Sequence, residues 1–331
     1  MNAAAVKPAG RLLVVGGGYT GQRFARAAAN LNFSLVLTSR QPPEALPPAR
    51  PAASALPAAA AWLPFDSREP RQPDAAALAD VSHVLVSVPP DGGPGDPVLR
   101  SLGGALARLP LAWVGYLSTT GVYGCTGGAW VDESAPPRPG SGRSQARLEA
   151  EEDWRASGLP VQVLRLPAIY GPGRSPFASL RSGRSRLIHK PGQVFSRVHV
   201  DDIVGALLHC LALPAGQRPP LVNLADDCPC PSSEVLGFAS HLLGLSLPPV
   251  QRYADIEADL SPMARSFWAE NRRVSNRLLC GELGYRLRYP SFREGLPACL
   301  RDEEEAGADA PLAGGQSTPA SGSATKGRPR S

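Results

Sequence analysis

The apolar run Leu12-Leu13-Val14-Val15 leads directly into Gly16-Gly17-Gly18-Tyr19-Thr20-Gly21, and an Ala-rich stretch over residues 23–31 follows. A buried-strand pattern, a Gly-x-Gly-x-x-Gly turn and a helical segment in that order form a unit whose helix N-terminus receives an anion. Gly16 permits the tight turn, Gly18 lets the backbone approach a dinucleotide pyrophosphate, and Gly21 lets the helix lie close on the strand. Tyr19 and Thr20 sit inside the same turn and join the candidate cofactor-binding set. In a chain with 34 glycines such a cluster also arises by chance, so the residues downstream have to carry the reading.

Those residues repeat the strand-helix alternation. Residues 33–39 read as a second strand, 41–61 as an Ala- and Pro-rich irregular or partly helical connection, and 62–66 as a short third strand. Further strands are expected at 83–88, ended by Pro89-Pro90, at 112–118 and at 161–166. Strands separated by helical segments of this length pair in parallel through crossovers. The predicted fold class is α/β, a doubly wound parallel Rossmann sheet with a smaller C-terminal substrate lobe. Residues 1–168 form the NAD(P)-binding Rossmann domain. Residues 169–301 are mostly substrate lobe, interleaved with the sheet and carrying a late strand at 221–224. Residues 302–331, rich in Gly, Ser, Ala, Thr and Pro with almost no large apolar side chains, read as a disordered tail.

Composition narrows the function classes. The net charge is +5 and 43% of residues are hydrophobic, with no block of five or more like charges and no basic stripe interleaved with aromatics. That pattern suits anionic small ligands and argues against nucleic acid. The six cysteines are scattered, and Cys228-x-Cys230 lacks zinc spacing, so no metal site is expected and the thiols read as reduced. No apolar run reaches 18 residues and no signal core opens the chain. A soluble, cytoplasmic monomer or homodimer with a small-molecule substrate and no membrane partner is the expectation.

The end of the second strand selects the dinucleotide. An NAD site offers a carboxylate to the adenosine ribose there, whereas an NADP site offers a cation to the 2′-phosphate. This chain has Thr38-Ser39-Arg40 and no acid, which favours NADP over NAD, with Arg40 pairing the phosphate and Ser39 and Thr38 donating to it. Asp66, at the end of the third strand, is placed either to meet the adenine amino group or to initiate a turn. Ser87, Val88 and Pro89 end the fourth strand and should line the cofactor cleft.

Three further segments carry a family resemblance: Ser118-Thr119-Thr120-Gly121-Val122-Tyr123-Gly124, the run from Leu164 through Pro167 to Tyr170-Gly171-Pro172-Gly173-Arg174, and Arg197-Val198-His199-Val200-Asp201-Asp202-Ile203. With the glycine turn they resemble, in order and spacing, the extended short-chain dehydrogenase/reductase superfamily, the NAD-dependent epimerase/dehydratase group. Gly93-Pro94-Gly95-Asp96, Trp130-Val131-Asp132-Glu133, Arg272-Arg273-Val274-Ser275-Asn276 and Glu282-Leu283-Gly284-Tyr285 look like its atypical branch, which includes the bacterial YeeZ-like proteins.

The resemblance implies hydride transfer or epimerase/dehydratase-like chemistry on a small, phosphate-bearing substrate. It implies a Tyr-x-x-x-Lys pair one helical turn apart, and a strand-end hydroxyl bonding the same substrate oxygen. It also brings Pro167 into the cofactor-binding set. The hydroxyl is present as Thr119. The helix that should carry the pair reads Ser141-Gly142-Arg143-Ser144-Gln145, with Ser141 in the tyrosine's place and Gln145 in the lysine's. Serine without an adjacent base is a poor acid at neutral pH. Tyr123 and Tyr170 are alternative proton donors or packed rings. The competing function is a catalytically inactive NADPH-binding sensor or regulatory protein. The Asp residues at 201 and 202 read as a helix cap beside His199, and Ser232 or Ser233 as the cap of a helix near Glu234. Arg143 reads as a helix-surface residue. Arg197, Arg272 and Arg273 are either anion ligands or solvated.

Overall fold

The computed structural model describes residues 10–41, 56, 60–69 and 73–308. Seven strands, β1 (Gly10–Val15), β2 (Phe33–Ser39), β3 (Ala61–Pro64), β4 (Val81–Val86), β5 (Trp113–Thr119), β6 (Val161–Leu166) and β7 (Leu221–Asn223), form one sheet in the order β7-β6-β5-β4-β1-β2-β3. Every neighbouring pair is parallel. The order reverses between β1 and β4, and in such open sheets a crevice for ligands forms there, outside the carboxyl ends of the strands.

The principal helices are α1 (Tyr19–Ala29), α2 (Pro97–Leu106), α3 (Gly142–Ala156), α4 (Val200–Ala212), α5 (Ser232–Leu242) and α6 (Phe292–Ala308). Side chains alternate across a strand, so neighbours in the apolar run of β1 serve opposite faces. Leu12, Val14, Leu35 and Leu37 pack with Phe24, Ala25 and Ala28 of α1 and with Ile203, Ala206 and Leu207 of α4. Leu13, Val15, Val36, Val84 and Val86 pack with Val98 and Leu102 of α2 and with Ala150 and Trp154 of α3. Burial on both faces is the reason these strands read as continuous Val/Leu runs.

The late strand expected at 221–224, in the stretch read as interleaved with the sheet, lies at the edge of the main sheet as β7, with Val222 opposite Leu164 of β6. Val222 and Leu224 are fully buried in the same core as β1, and this apolar burial holds the segment to the sheet. The lobe is built around a second core of Tyr170, Phe177, Leu180, Ala239, Phe292 and Leu296. Its two-stranded ladders pair Ala168–Tyr170 with Arg197–His199, and Leu187–His189 with Val250–Arg252. Helix α6 runs to Ala308, so residues 302–308, assigned by composition to the tail, are helical. Residues 309–331 and most of the 41–61 connection lie outside the described residues. Among the described residues no helix is long and apolar enough to cross a membrane.

Candidate functional site

At the end of β1 the chain turns with Gly16 at φ 102°, a backbone conformation that L side chains rarely adopt. A Cβ on Gly21 would collide with the Gly16 carbonyl and press on Val14, so α1 sits against β1 only because that position is bare. Gly18 precedes the first residue of α1, and a Cβ there would meet nothing within 4 Å. The turn therefore presents an open, side-chain-free helix N-terminus, the geometry that fits a dinucleotide pyrophosphate.

Two strand ends brace this turn. Gly16 N donates to Thr38 Oγ1 at 3.0 Å, Gly17 N donates to the Thr38 carbonyl at 2.7 Å, and Ser87 Oγ donates to the Gly16 carbonyl at 2.8 Å. Thr38 is buried, and its hydroxyl accepts from the turn while the residue also lines the cleft described below. Thr20 and Gly21 lie buried in the first turn of α1. Tyr19 leans away from the glycines toward the lobe. Its hydroxyl donates to the Pro172 carbonyl at 3.0 Å, and its ring lies between the guanidinium groups of Arg23 and Arg174. Burial pushes its phenol up to about 12.

The open face of the turn is one side of a cleft of about 800 Å³ that also takes in Ser39, Arg40, Asp66, Ser87, Val88 and Pro89. Arg40 is exposed at its rim. Arg68, which the sequence reading did not single out, lines the same cleft and forms a two-point pair with Asp66. Those hydrogen bonds hold the Asp66 carboxyl down at about 2, with Arg40 adding to the pull. The Asp66 carboxylate is thus engaged by the Arg68 guanidinium, and the backbone N–H of Arg68 donates to the same Oδ1 at 3.1 Å. The Asp-x-Arg spacing was the signal available for Arg68.

A second cleft, of about 210 Å³, opens at the ends of β5 and β6. It brings together Thr119, Ser141 and Pro167 with Arg143, Glu270 and Arg272. Thr119 Oγ1 accepts from Gly121 N at 3.1 Å, which orients the hydroxyl at the strand end. Ser141 is the residue before α3, and its Oγ accepts from Ser144 N at 3.3 Å while donating to Ser144 Oγ at 3.1 Å. Gln145 does not reach this cleft; it is exposed, and its amide donates to Glu149 Oε1 at 3.0 Å. Ser141 and Gln145 are thus a helix cap and a surface residue, not a matched pair facing one ligand. Arg143, expected on the helix surface, is exposed but lines this cleft.

Glu270 enters from more than a hundred residues away, held by Arg272 at 2.7 Å, and Arg272 also donates to the Gly124 carbonyl at 2.8 Å. The sequence carried no sign that Glu270 would share a cleft with Thr119.

Neither candidate tyrosine reaches either cleft. The Tyr123 hydroxyl donates to Asn223 Oδ1 at 2.9 Å, its ring lies beneath the Arg165 guanidinium, and burial raises its pKa above the ordinary phenol value. Tyr170 lines a different cavity and donates to the Ser291 carbonyl at 3.2 Å; burial raises its pKa further still. Both are packed rings rather than proton donors at neutral pH. Beneath Thr119, Ser118 Oγ donates to Glu151 Oε1 at 2.5 Å, and Arg165 grips the same carboxylate at 3.0 and 2.7 Å. This buried network ties β5, α3 and β6 together under the second cleft.

The helix-cap expectations change. His199 Nδ1 accepts from Asp201 N at 3.1 Å, so the imidazole caps α4, and burial pushes its pKa down to about 3. Asp202 is buried and accepts from the Tyr285 hydroxyl and from the backbone of Arg288 and Tyr289, which pins the 285–289 segment to α4. Helix α5 starts at Ser232 itself, after Pro231, with no side-chain cap. Arg273 donates to the Gly128 carbonyl. Among the described residues no group of three or more His, Cys, Asp or Glu could hold a metal ion.

No family model matches the chain. It is 28% identical over 226 residues to protein YeeZ of Escherichia coli strain K12, covering 66% of this chain and 75% of that protein. A conserved protein of unknown function from Silicibacter pomeroyi has a solved structure 43% identical, with a TM-score of 0.77 over 89% of this chain and 99% of that one. Likeness of fold extends to the human epimerase family protein SDR39U1, solved with NADPH, at 18% identity and TM-score 0.66 over 90% of this chain and 99% of that one. It extends equally to Bacillus cereus UDP-glucuronic acid 4-epimerase, solved with NAD, at 17% identity and TM-score 0.70 over 91% and 99%.

Proposed function

We propose that this protein, which belongs to the atypical extended short-chain dehydrogenase/reductases of the NAD-dependent epimerase/dehydratase superfamily, in their YeeZ-like branch, binds NADP(H) and transfers hydride to or from a small, phosphate-bearing substrate. The observation that carries this reading is the first cleft: an open glycine turn at one end, and Ser39, Arg40 and Arg68 at the other with no carboxylate at the end of β2. Gly16–Gly18 and the N-terminus of α1 would hold the pyrophosphate. Arg40 would pair the 2′-phosphate through its fork of N–H donors, and Ser39 would add a hydroxyl.

A bound nicotinamide supplies or accepts the hydride. Thr119 hydrogen-bonds the substrate oxygen from the second cleft, and Arg143 and Arg272 are the cations placed to meet an anionic group on the substrate. Solved relatives of the same fold carry NAD or NADPH, which supports a nicotinamide cofactor in general, and the preference for NADP rests on Arg40.

Binding of NADPH and NADH, followed by nicotinamide fluorescence in the wild type and in Arg40→Ala, tests the assignment. NADPH should bind more tightly and lose that advantage in the variant. Equal affinities, unchanged by the substitution, would refute it.

A second reading, an NADPH-binding sensor that does not turn over, is supported by Ser141 acting as a cap, by Gln145 lying outside the cleft and by the two tyrosines being packed in the interior. Failure of the wild type to oxidise NADPH with any member of a carbonyl and sugar-nucleotide panel would favour that reading.

A further inference from the structure

We propose that Cys228 and Cys230 form a redox-active dithiol that a hydroperoxide closes to a reversible disulfide, with Cys228 as the attacking thiol and Cys230 as the resolving one. The pair flanks Pro229 in the segment between β7 and α5, and both cysteines are free thiols. A proline disfavours helical backbone at the residue before it, and in an extended chain side chains two residues apart lie on one side. The two thiols accordingly lie within hydrogen-bonding reach of each other.

Both members of the pair are held in place. Cys228 N donates to Asp226 Oδ1 at 3.1 Å, and Cys230 exchanges backbone hydrogen bonds with Phe195 in both directions, at 3.0 and 3.2 Å. A guanidinium sits on each sulfur: Arg293 Nη1 donates to Cys228 Sγ at 3.6 Å, and Arg197 Nη1 to Cys230 Sγ at 3.2 Å. Arg293 is steadied in turn by Glu234 at 3.5 Å. Reactive cysteines sit in electropositive, partly exposed surroundings. Cys228 is half-buried and meets both conditions, whereas Cys230 is only 4% exposed and its burial raises it above the ordinary thiol range. The thiol within reach of solvent therefore reacts first and the buried one follows. Cys125 provides the contrast, since it is exposed but its thiol donates to a neutral group, the Asn271 carbonyl, at 3.9 Å.

The steps balance with the peroxide as the only co-reactant. The Cys228 sulfur attacks one peroxide oxygen as a thiolate, the O–O bond breaks, a sulfenic acid forms at Cys228, and the departing hydroxide takes up the proton that Cys228 released. The Cys230 sulfur then attacks the sulfenic sulfur. The S–S bond forms, the S–O bond breaks, and the Cys230 proton leaves with the hydroxyl group as water. The two sulfurs together give up two electrons and the peroxide is reduced to water. A thiol reductant reverses the reaction by exchange, and a partly exposed disulfide closing so short a loop belongs to the labile kind on which such exchange acts.

Peptide mapping by mass spectrometry of the full chain, treated with hydrogen peroxide and then alkylated, tests the pair. The peptide carrying residues 228–230 should lose both alkylatable thiols and two hydrogens before Cys125 is oxidised, and dithiothreitol should restore it. In Cys230→Ser the reaction should stop at a Cys228 sulfenic acid that dimedone traps, and in Cys228→Ser the Cys230 thiol should survive. Arg293→Met, which keeps the length of an exposed side chain and removes its charge, should slow the loss of the Cys228 thiol several-fold. Absence of the internally linked peptide, a disulfide between two chains in its place, oxidation of Cys125 ahead of Cys228, loss of Cys230 in Cys228→Ser, or an unchanged rate in Arg293→Met would each overturn the proposal. The NADPH measurements above stand or fall independently of all of these.

Discussion

Arg68 grips Asp66 through two parallel hydrogen bonds, Nε to Oδ1 at 3.0 Å and Nη2 to Oδ2 at 2.8 Å, at the rim of the cleft that also holds Arg40. The pair holds a second guanidinium in the cleft that Arg40 lines, where on the proposed function it would meet the adenosine 2′-phosphate, and it engages the Asp66 carboxylate.

Arg68→Ala should therefore lower the affinity for 2′,5′-ADP by roughly tenfold and leave that for 5′-AMP nearly unchanged, since only the former carries the extra phosphate. Competition against bound NADPH measures both. An equal loss for the two nucleotides would place Arg68 against the adenine ring instead.

The glycine turn separates binding from folding. Gly18→Ala introduces a methyl group where nothing lies within 4 Å, so its effect on stability should stay below about 1 kcal/mol. Its NADPH affinity should nevertheless fall at least tenfold, because the methyl occupies the approach to the pyrophosphate. Gly21→Ala drives a methyl into the Gly16 carbonyl and should destabilise the fold by about 2 kcal/mol or more. Urea unfolding alongside fluorescence titration distinguishes the two effects.

Installing the family's pair, Ser141→Tyr with Gln145→Lys, should not create turnover. Ser141 caps α3 and Gln145 points to Glu149 outside the cleft, so the double variant loses a cap worth about 1 kcal/mol and gains no lysine facing the cleft. NADPH oxidation on the substrate panel, with urea unfolding, checks both halves. A clear gain in turnover would mean that α3 reorients when these residues change.

Asp226 predicts a pH dependence. Burial raises its folded-state pKa to about 7, while in the unfolded chain it titrates near 3.8. The folded state therefore holds a proton that the unfolded state has lost, and stability falls as pH rises from about 4 to about 7. Asp226→Asn should remove this decline and be more stable than the wild type at pH 8, by roughly 2–4 kcal/mol. Unfolding midpoints of both proteins across that range provide the measurement, and parallel curves would assign the decline to other groups.

Much of the sheet was legible because its signals are local. The run Leu12 to Val15, the recurring Val/Leu strands and the helical segments between them each declare their partners through burial on both faces. The glycine turn was legible for the same reason, since tight turn, open approach and close packing are demands on single residues. Strand β7 was legible as a strand, but its three residues carry too little periodicity to announce where in the sheet they join. The helix caps were misread because an imidazole does at His199 what a carboxylate was expected to do.

By itself, then, the chain determined the α/β layering, the glycine turn and the cation at the end of β2, all consequences of side chains read in sequence order. Only the tertiary structure decided which of them face a common cleft. It set Tyr123 against Asn223 and away from the cleft, brought Glu270 into the same cleft as Thr119, and buried Arg197 with its guanidinium on the Phe195 and Cys230 carbonyls. Residues a hundred or more positions apart meet through packing, and where a side chain points once packed is not written in its neighbours along the chain.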